Sequence, residues 1–148
     1  MIKVCVLGDS GVGKTSLIDR LSGSEFELMY TPTTEIYNTE INFNEHKFNL
    51  EEHPSSKVFN FIGTYDMAII MFDTTSRNSY KNVNFWVAKF LTANKDKKYI
   101  IVGNKIDNVK DAEIIEGYFK GISVKDNIKC FDILEEILNK ISDKRISE

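Results

Sequence analysis

Three short apolar runs stand out along the chain, each followed by polar residues or glycine. They cover residues 2–7, 67–72 and 99–102, and Lys3 is their only charged member. Continuous apolar runs of this length, bounded by turn residues, are typical of strands that are buried on both faces of a sheet. The pattern therefore predicts three buried strands.

Strict alternation of apolar and polar positions appears in the second quarter of the chain. The alternating residues are Tyr37, Thr39, Ile41 and Phe43 before the connection NEHK, and Phe48 and Leu50 after it. A period of two places these side chains on one face of a strand, so the stretch predicts a β-hairpin. We expect no regular structure over 23–35, which contains Pro32, or over 51–64.

Apolar residues at helical spacing occur in several other segments. The predicted helices cover 15–21, 80–91 and 128–141, with a short helix over 111–116 and a short strand over 118–122. The apolar face of the helix predicted over 128–141 consists of Ile133, Leu134, Ile137, Leu138 and Ile141. Because strands and helices alternate, the chain is predicted to be an α/β protein with helices on a mainly parallel sheet. The length predicts a single domain over residues 1–148.

Charge and cysteine content narrow the function classes. With 19 basic and 22 acidic residues the formal net charge is -3, and no basic block is present, so we expect no nucleic-acid partner. Cys5 and Cys130 lie far apart in apolar segments, which predicts buried thiols in a reducing compartment rather than a disulfide or a metal site.

Membrane signals are absent from the sequence pattern. No apolar run approaches the roughly 18 residues that span a bilayer, and the first run is too short for a signal-peptide core. The chain ends RISE, without a cysteine for prenylation. We expect a cytoplasmic monomer without its own membrane anchor, associated with membranes through partners; loss of a lipidated tail by truncation is the alternative.

The stretch GDSGVGKTS, residues 8–16, follows the first predicted strand and leads into a predicted helix. It satisfies G-x-x-x-x-G-K-[ST], in which glycines let backbone N–H groups surround phosphate oxygens. Lys14 is expected to neutralise the β- and γ-phosphates and the Thr15 hydroxyl to bind Mg²⁺. The candidate phosphate-binding residues are Ser10, Gly11, Val12, Gly13, Lys14, Thr15 and Ser16. A glycine-rich turn without a ligand is the less favoured interpretation.

The tetrapeptide NKID follows the third apolar run and supplies a candidate base-binding site. A carboxylate at Asp107 can accept hydrogen bonds from N1–H and the 2-amino group of guanine, whereas adenine lacks that amino group. The Lys105 stem can lie along the ring face. Alone, Asn104, Lys105 and Asp107 fit a solvated turn equally well, but their position after a different strand from the phosphate loop favours guanine selection.

Four segments together resemble the small GTPases of the Ras superfamily, most closely the Rab branch. They are GDSGVGKTS, YDMAIIMFDTTSRNSYKNVNFW, VGNKID and SVKDNI, and the similarity runs from Ile2 to about Ile141. The resemblance implies a three-layer P-loop G domain with about six strands, and a guanine-nucleotide switch that binds GTP or GDP with Mg²⁺. It also implies an exchange factor, an activating protein and effectors, in signalling or vesicle trafficking.

The resemblance also assigns roles to residues outside these motifs. It places Phe26 against guanine, Tyr30 over the phosphates and Thr33 as a ligand of Mg²⁺ and γ-phosphate, with Thr34 as the neighbouring alternative. Phe26 as a core residue and Thr33 as a solvated hydroxyl remain open, and residues 24–36 are the implied effector surface. Ser123 and Lys125 fall in the loop that closes over the base, where the Val124 N–H would bond guanine O6.

One family motif is missing. Small GTPases carry D-x-x-G-Q after the third strand, where Asp anchors Mg²⁺ and Gln orients the attacking water. The corresponding region here reads FNLEEHPSSKVFNFIG, and the chain contains no Gln. No residue is therefore assigned as catalytic, and we expect very slow hydrolysis of GTP. Glu51 or Glu52 could replace the Asp, and His53 is expected to be exposed rather than a base.

Two alternatives follow from the missing motif and from the phosphate loop alone. A pseudo-GTPase would act through protein contacts without meaningful hydrolysis. A P-loop nucleoside kinase is less favoured, because such enzymes need an acceptor site that is often rich in arginine, and this chain has arginine only at positions 20, 77 and 145.

Overall fold

The computed structural model describes residues 1–23, 37–54, 64–105 and 119–146, with side chains in the last helix described to residue 141. Six strands in these residues form one sheet in the order β2-β3-β1-β4-β5-β6. The strands are β1 (Ile2–Gly8), β2 (Tyr37–Phe43), β3 (His46–Glu52), β4 (Met67–Asp73), β5 (Lys98–Asn104) and β6 (Lys120–Gly121). β2 and β3 pair antiparallel, and the other strand pairs are parallel.

Helices cover both faces of the sheet and bury two apolar clusters. Along β1 the side chains alternate, so that Val4 and Val6 belong to one cluster and Cys5 and Leu7 to the other. The first cluster includes residues of α1 (Lys14–Leu21) and α4 (Asp132–Ile146), and the second includes residues of α3 (Val83–Ala93). A sheet between two helical layers is the predicted three-layer α/β fold, which is confirmed.

The apolar face predicted for the last helix is also confirmed. Ile133, Leu134 and Ile137 are buried, and Leu138 and Ile141 pack against the same cluster. Both cysteines are buried free thiols, as predicted. Within the described residues no helix is long and apolar enough to cross a membrane.

Helix boundaries differ from the predicted ones for local reasons. The segment predicted as one helix over 80–91 forms α2 (Arg77–Lys81) and α3, separated at Asn82. α2 begins early because the Ser76 hydroxyl accepts a hydrogen bond from the Ser79 N–H at its first turn. The last helix begins at Asp132 rather than at residue 128, because Ile128 pairs with Ser123 in an isolated antiparallel bridge.

The third strand is longer than predicted at both ends. Its turn to β2 is only Asn44 and Glu45, both with positive φ. At its other end β3 continues through Glu51 and Glu52, in a stretch expected to be irregular, because parallel pairing with β1 extends that far. β6 falls within the short strand predicted over 118–122, and the helix predicted over 111–116 lies outside the described residues.

Candidate nucleotide-binding site

The turn between β1 and α1 has the backbone of a phosphate loop. Gly13 precedes the first residue of α1 with a φ of 103°, in the left-handed region that favours glycine. A Cβ on Gly13 would overlap the Asn104 side-chain amide, and one on Gly8 would overlap the Met71 carbonyl oxygen. The motif glycines are therefore required by close approach of the loop to the ends of β4 and β5.

Lys14 is held in this loop by main-chain oxygens. Its Nζ donates to the Gly8 carbonyl at 2.8 Å and to the Asp9 carbonyl at 2.9 Å, and the residue is only 4% exposed. Burial lowers the pKa of Lys14 to about 8, while the nearby carboxylates of Glu52 and Asp9 act in the opposite direction. A buried ammonium group at the mouth of a glycine loop is the arrangement that attracts a phosphate chain.

Thr15 and Glu52 bring two side-chain oxygens together beside Lys14. The Thr15 hydroxyl donates to Glu52 Oε1, and Glu52, the last residue of β3, is only 3% exposed. Mg²⁺ is commonly held by one or two protein oxygens with substrate phosphates completing its shell, so this donor pair fits it. Among the described residues there is no group of three or more His, Cys, Asp or Glu that could hold a metal unaided.

Asn104 joins three separate segments of the site. Its Nδ2 donates to the Val12 carbonyl at 3.0 Å, and its Oδ1 accepts from the Val124 N–H at 3.1 Å. The side chain is buried, so both bonds are shielded from water. The predicted phosphate loop, the N-K dipeptide and the 123–125 loop thus lie together, although each comes from a different part of the chain.

Lys105 ties the end of β5 to the phosphate loop. Its Nζ lies 2.7 Å from Asp73 Oδ2 and donates to the Gly11 carbonyl at 3.4 Å. Thr74 completes the junction, because its N–H and hydroxyl both donate to the Asn104 carbonyl. Asp73 was not predicted: it directly follows the second apolar run, but its pairing in register with Asn104 is seen only in the structure.

The loop of Ser123, Val124 and Lys125 is closed by its own bridge and by a distant arginine. Ser123 is fully buried and its N–H and carbonyl pair with Ile128. The Arg20 guanidinium, on α1, donates to the Val124 carbonyl at 3.0 Å and to the Lys125 carbonyl at 2.9 Å. Arg20 was not predicted, because no local pattern in α1 indicates a partner over 100 residues away.

Asp9 is a third residue that the sequence analysis did not predict. Its carboxylate accepts from the Trp86 indole N–H at 2.9 Å and from the Asn82 side-chain amide at 2.6 Å. These contacts attach the phosphate loop to the junction of α2 and α3. Trp86 is the only tryptophan in the chain, so its fluorescence reports on the loop.

Other predicted residues have different outcomes. Ser10 and Lys125 are exposed, and Ser16 lies in the first turn of α1. Five predicted binding residues lie outside the described residues, so their roles remain predictions. They are Phe26, Tyr30, Thr33, Thr34 and Asp107. The expectation that His53 is exposed is wrong: it is 1% exposed. The reason is that its N–H still donates to the Val6 carbonyl, so its side chain points into the core.

A mainly parallel sheet with a phosphate loop at the carboxyl end of its first described strand defines a P-loop nucleotide-binding fold. The Ras family model matches residues 3–133, and the chain therefore belongs to the Ras family. It is 31% identical to the Ras-related protein Rab7 of Pisum sativum over 121 residues, covering 72% of this chain and 59% of that protein.

Two further relatives agree with this assignment. The Ras-related protein RABG3f of Arabidopsis thaliana is 29% identical over the same coverage, 72% of this chain and 59% of that protein. The Ras-related protein RabV of Dictyostelium discoideum is 30% identical over 77% of this chain and 54% of that protein. The resemblance to the Rab branch is confirmed, and the chain spans a little over half the length of these relatives.

Proposed function

We propose that this chain is a Rab-like G domain that binds GDP and GTP with Mg²⁺ and hydrolyses GTP slowly if at all. The observation that carries the proposal is the Asn104 side chain, which joins Val12 of the phosphate loop to Val124 of the 123–125 loop. A phosphate-binding loop and a base-binding loop held together in this way suit one ligand with a purine at one end and phosphates at the other.

The guanine preference rests on the N-K-I-D sequence. Asn104 and Lys105 place the start of this motif at the phosphate loop, and Asp107 follows two residues later. A carboxylate there accepts two hydrogen bonds from guanine and finds no matching donors on adenine. Phe26 and Tyr30 are proposed to cover the base and phosphates, and the Val124 N–H to share its hydrogen between Asn104 Oδ1 and guanine O6.

Magnesium would be held by Thr15 and Glu52 together with nucleotide oxygens, with Thr33 added in the triphosphate state. The contact between the Thr15 hydroxyl and the Glu52 carboxylate supports this set. Glu52 occupies the strand end at which the family carries the Asp of D-x-x-G-Q. When bound, Mg²⁺ would neutralise phosphate charge, and Thr15 and Glu52 would orient it.

Nucleotide binding is tested by titrating the protein with GDP, GTP and ATP in Mg²⁺ while following Trp86 fluorescence. We expect saturable changes with both guanine nucleotides and none with ATP at equal concentration. Asp107→Asn should lose affinity for GDP and gain affinity for xanthosine diphosphate, because an amide donates to the carbonyl that xanthine carries at C2. Equal affinities for GDP and ATP would refute the guanine assignment.

A pseudo-GTPase is the second candidate function, and the absence of Gln from the whole chain favours it. Intact enzymes of this class hydrolyse GTP unaided at about 10⁻⁴ s⁻¹, and much of the gain from an activating protein needs a residue that positions water. A single-turnover assay with γ-labelled GTP distinguishes the two: phosphate release that requires Mg²⁺ supports the GTPase, and none over a day supports the pseudo-GTPase.

The partners of a Rab-like switch are an exchange factor, an activating protein and effectors. By likeness to the Rab proteins we propose that residues 24–36 form the effector surface and that the protein acts in vesicle trafficking. Affinity capture with the protein loaded with GDP or with a non-hydrolysable GTP analogue tests this. Partners retained only in the triphosphate state would be effectors, and identical partners in both states would argue against switching.

A further inference from the structure

Two buried side chains, His53 and Tyr65, and the partly buried Glu51 lie together on the face of the sheet that packs against α3. The Tyr65 hydroxyl donates to Glu51 Oε2 at 2.6 Å, and His53 Nε2 lies 2.7 Å from the Tyr65 oxygen. Tyr65 and His53 are 2% and 1% exposed, and their rings meet edge to face at 5.5 Å. We call Glu51, His53 and Tyr65 the strand-end cluster.

Its hydrogen bonds have one consistent direction. Burial, followed by the hydrogen bond to Glu51, raises the pKa of Tyr65, so the phenol keeps its proton and donates it to the carboxylate. Because the Tyr65 hydroxyl donates to Glu51, its oxygen can accept a hydrogen bond from His53 Nε2–H. The three groups thus form a short chain from His53 to Tyr65 to Glu51.

The cluster is attached at two other points. The Tyr65 N–H donates to the Asn94 side chain at 2.9 Å, and Asn94 ends α3. The His53 N–H donates to the Val6 carbonyl of β1 at 3.3 Å. These bonds fix the cluster to a helix and to a central strand, so its members are held at both backbone and side chain.

Glu52 lies between two members of the cluster. Because side chains alternate along a strand, Glu51 and His53 point to the α3 face of the sheet while Glu52 points to the α1 face and contacts Thr15. A residue whose neighbours on both sides are fixed has little freedom in its own backbone angles. The strand-end cluster therefore adds to the pairing with β1 and β2 in holding the backbone that carries the Glu52 carboxylate.

From this geometry we infer that His53 and Tyr65 are positioning residues for magnesium, acting through Glu52. The inference rests on the proposed function, since it assigns these residues a role at the same site. The Lys14 and Asn104 side chains, which hold the phosphate loop, bond to main-chain groups of Gly8, Asp9, Val12 and Val124. Loss of the cluster should thus weaken the Mg²⁺-dependent part of nucleotide affinity and leave the Mg²⁺-independent part intact.

The experiment measures GDP affinity in excess Mg²⁺ and in excess EDTA, and takes the ratio of the two as the magnesium effect. Tyr65→Phe removes one oxygen and keeps the ring. We expect it to reduce this ratio about tenfold, the usual size for residues that orient a metal ligand, with affinity in EDTA changed by less than about twofold. Glu52→Gln gives the reference loss, and Tyr99→Phe, on the same face of the sheet in β5, is the matched control that should change neither value.

A second pair of variants separates positioning from stability. His53→Gln keeps a donor N–H near the place of Nε2 and should restore most of the ratio that His53→Leu loses. If Tyr65→Phe does not fold, the two His53 variants provide the test instead. Both should lower the melting temperature, but only His53→Leu removes the hydrogen-bond donor. An unchanged ratio in Tyr65→Phe or in His53→Leu, with GDP still bound, overturns the inference and leaves the proposed function intact. Failure of the unsubstituted protein to bind GDP in either solution overturns both.

Discussion

Cys130 illustrates how one side chain couples pH to the candidate base-binding loop. Its Sγ lies 3.5 Å from the Ser123 carbonyl oxygen, beneath the loop that Ser123 and Ile128 close. Burial raises the pKa of this thiol to about 11; the nearby Arg20 acts against the shift and Asp132 adds to it. The folded protein therefore keeps the thiol neutral at a pH where an unfolded chain ionises it.

The raised pKa of Cys130 lowers the stability of the folded protein at alkaline pH. Between about pH 9 and pH 11 the unfolded state loses the Cys130 proton and the folded state keeps it, so the free energy of unfolding falls as pH rises. Cys130→Ala removes this contribution, and the stability gap between the two proteins should narrow by about 1 kcal/mol near pH 10. Urea unfolding from pH 7 to pH 10.5 measures it. A constant gap across that range would contradict the raised pKa.

Comparison of the observed strands with the predicted ones shows which structural features a local sequence pattern can predict. The apolar runs of β1, β4 and β5 predict their strands because burial on both faces requires continuous apolar residues. The end of β3 was not predictable, because Glu51 and Glu52 are polar and become strand only by pairing with β1. The same pairing buries His53, which a local sequence beside Pro54 does not indicate.

The residues of the candidate site also separate into those that a local sequence pattern predicts and those that it does not. The phosphate loop and the N-K dipeptide were predictable, because their chemistry needs fixed residue types at fixed local spacing. Asp9, Arg20 and Asp73 were not, since each contacts a partner on another strand or helix and each residue type is ordinary on a protein surface. The sequence thus indicates what binds the ligand better than what supports those residues.

Arg20 gives a prediction about how α1 and the 123–125 loop depend on each other. Its two hydrogen bonds to the Val124 and Lys125 carbonyls hold that loop near Asn104. Arg20→Ala should raise the dissociation rate of GDP about tenfold, the usual cost of one or two charge-assisted hydrogen bonds. Release of a fluorescent GDP analogue measures the rate. Lys81→Ala, an exposed cation at the end of α2, is the control; equal rates in all three proteins would show that Arg20 has no part in holding the loop.

The carboxyl ends of β1, β4 and β5 meet at one edge of the sheet, and the candidate site is built from their connections. A ligand bound there contacts segments that unfolding would separate, so it should bind the folded state alone. Asp9 further links the loop to α3, whose Trp86 and Phe90 belong to the second apolar cluster. Opening the site is then expected to require opening of the molecule as a unit.

Urea unfolding followed with two probes tests this cooperativity. Trp86 fluorescence reports on the contact between the phosphate loop and α3, and far-UV circular dichroism reports on the whole fold. Coincident transitions are expected without nucleotide, since one sheet links all the segments. GDP in Mg²⁺ at about 1,000 times its Kd should add about 4 kcal/mol and move both midpoints together at constant slope, while ATP moves neither. If GDP shifts the fluorescence transition alone, the phosphate loop and α3 unfold as a separate unit. The hydrogen bond from Trp86 to Asp9 would then not couple the loop to the rest of the fold.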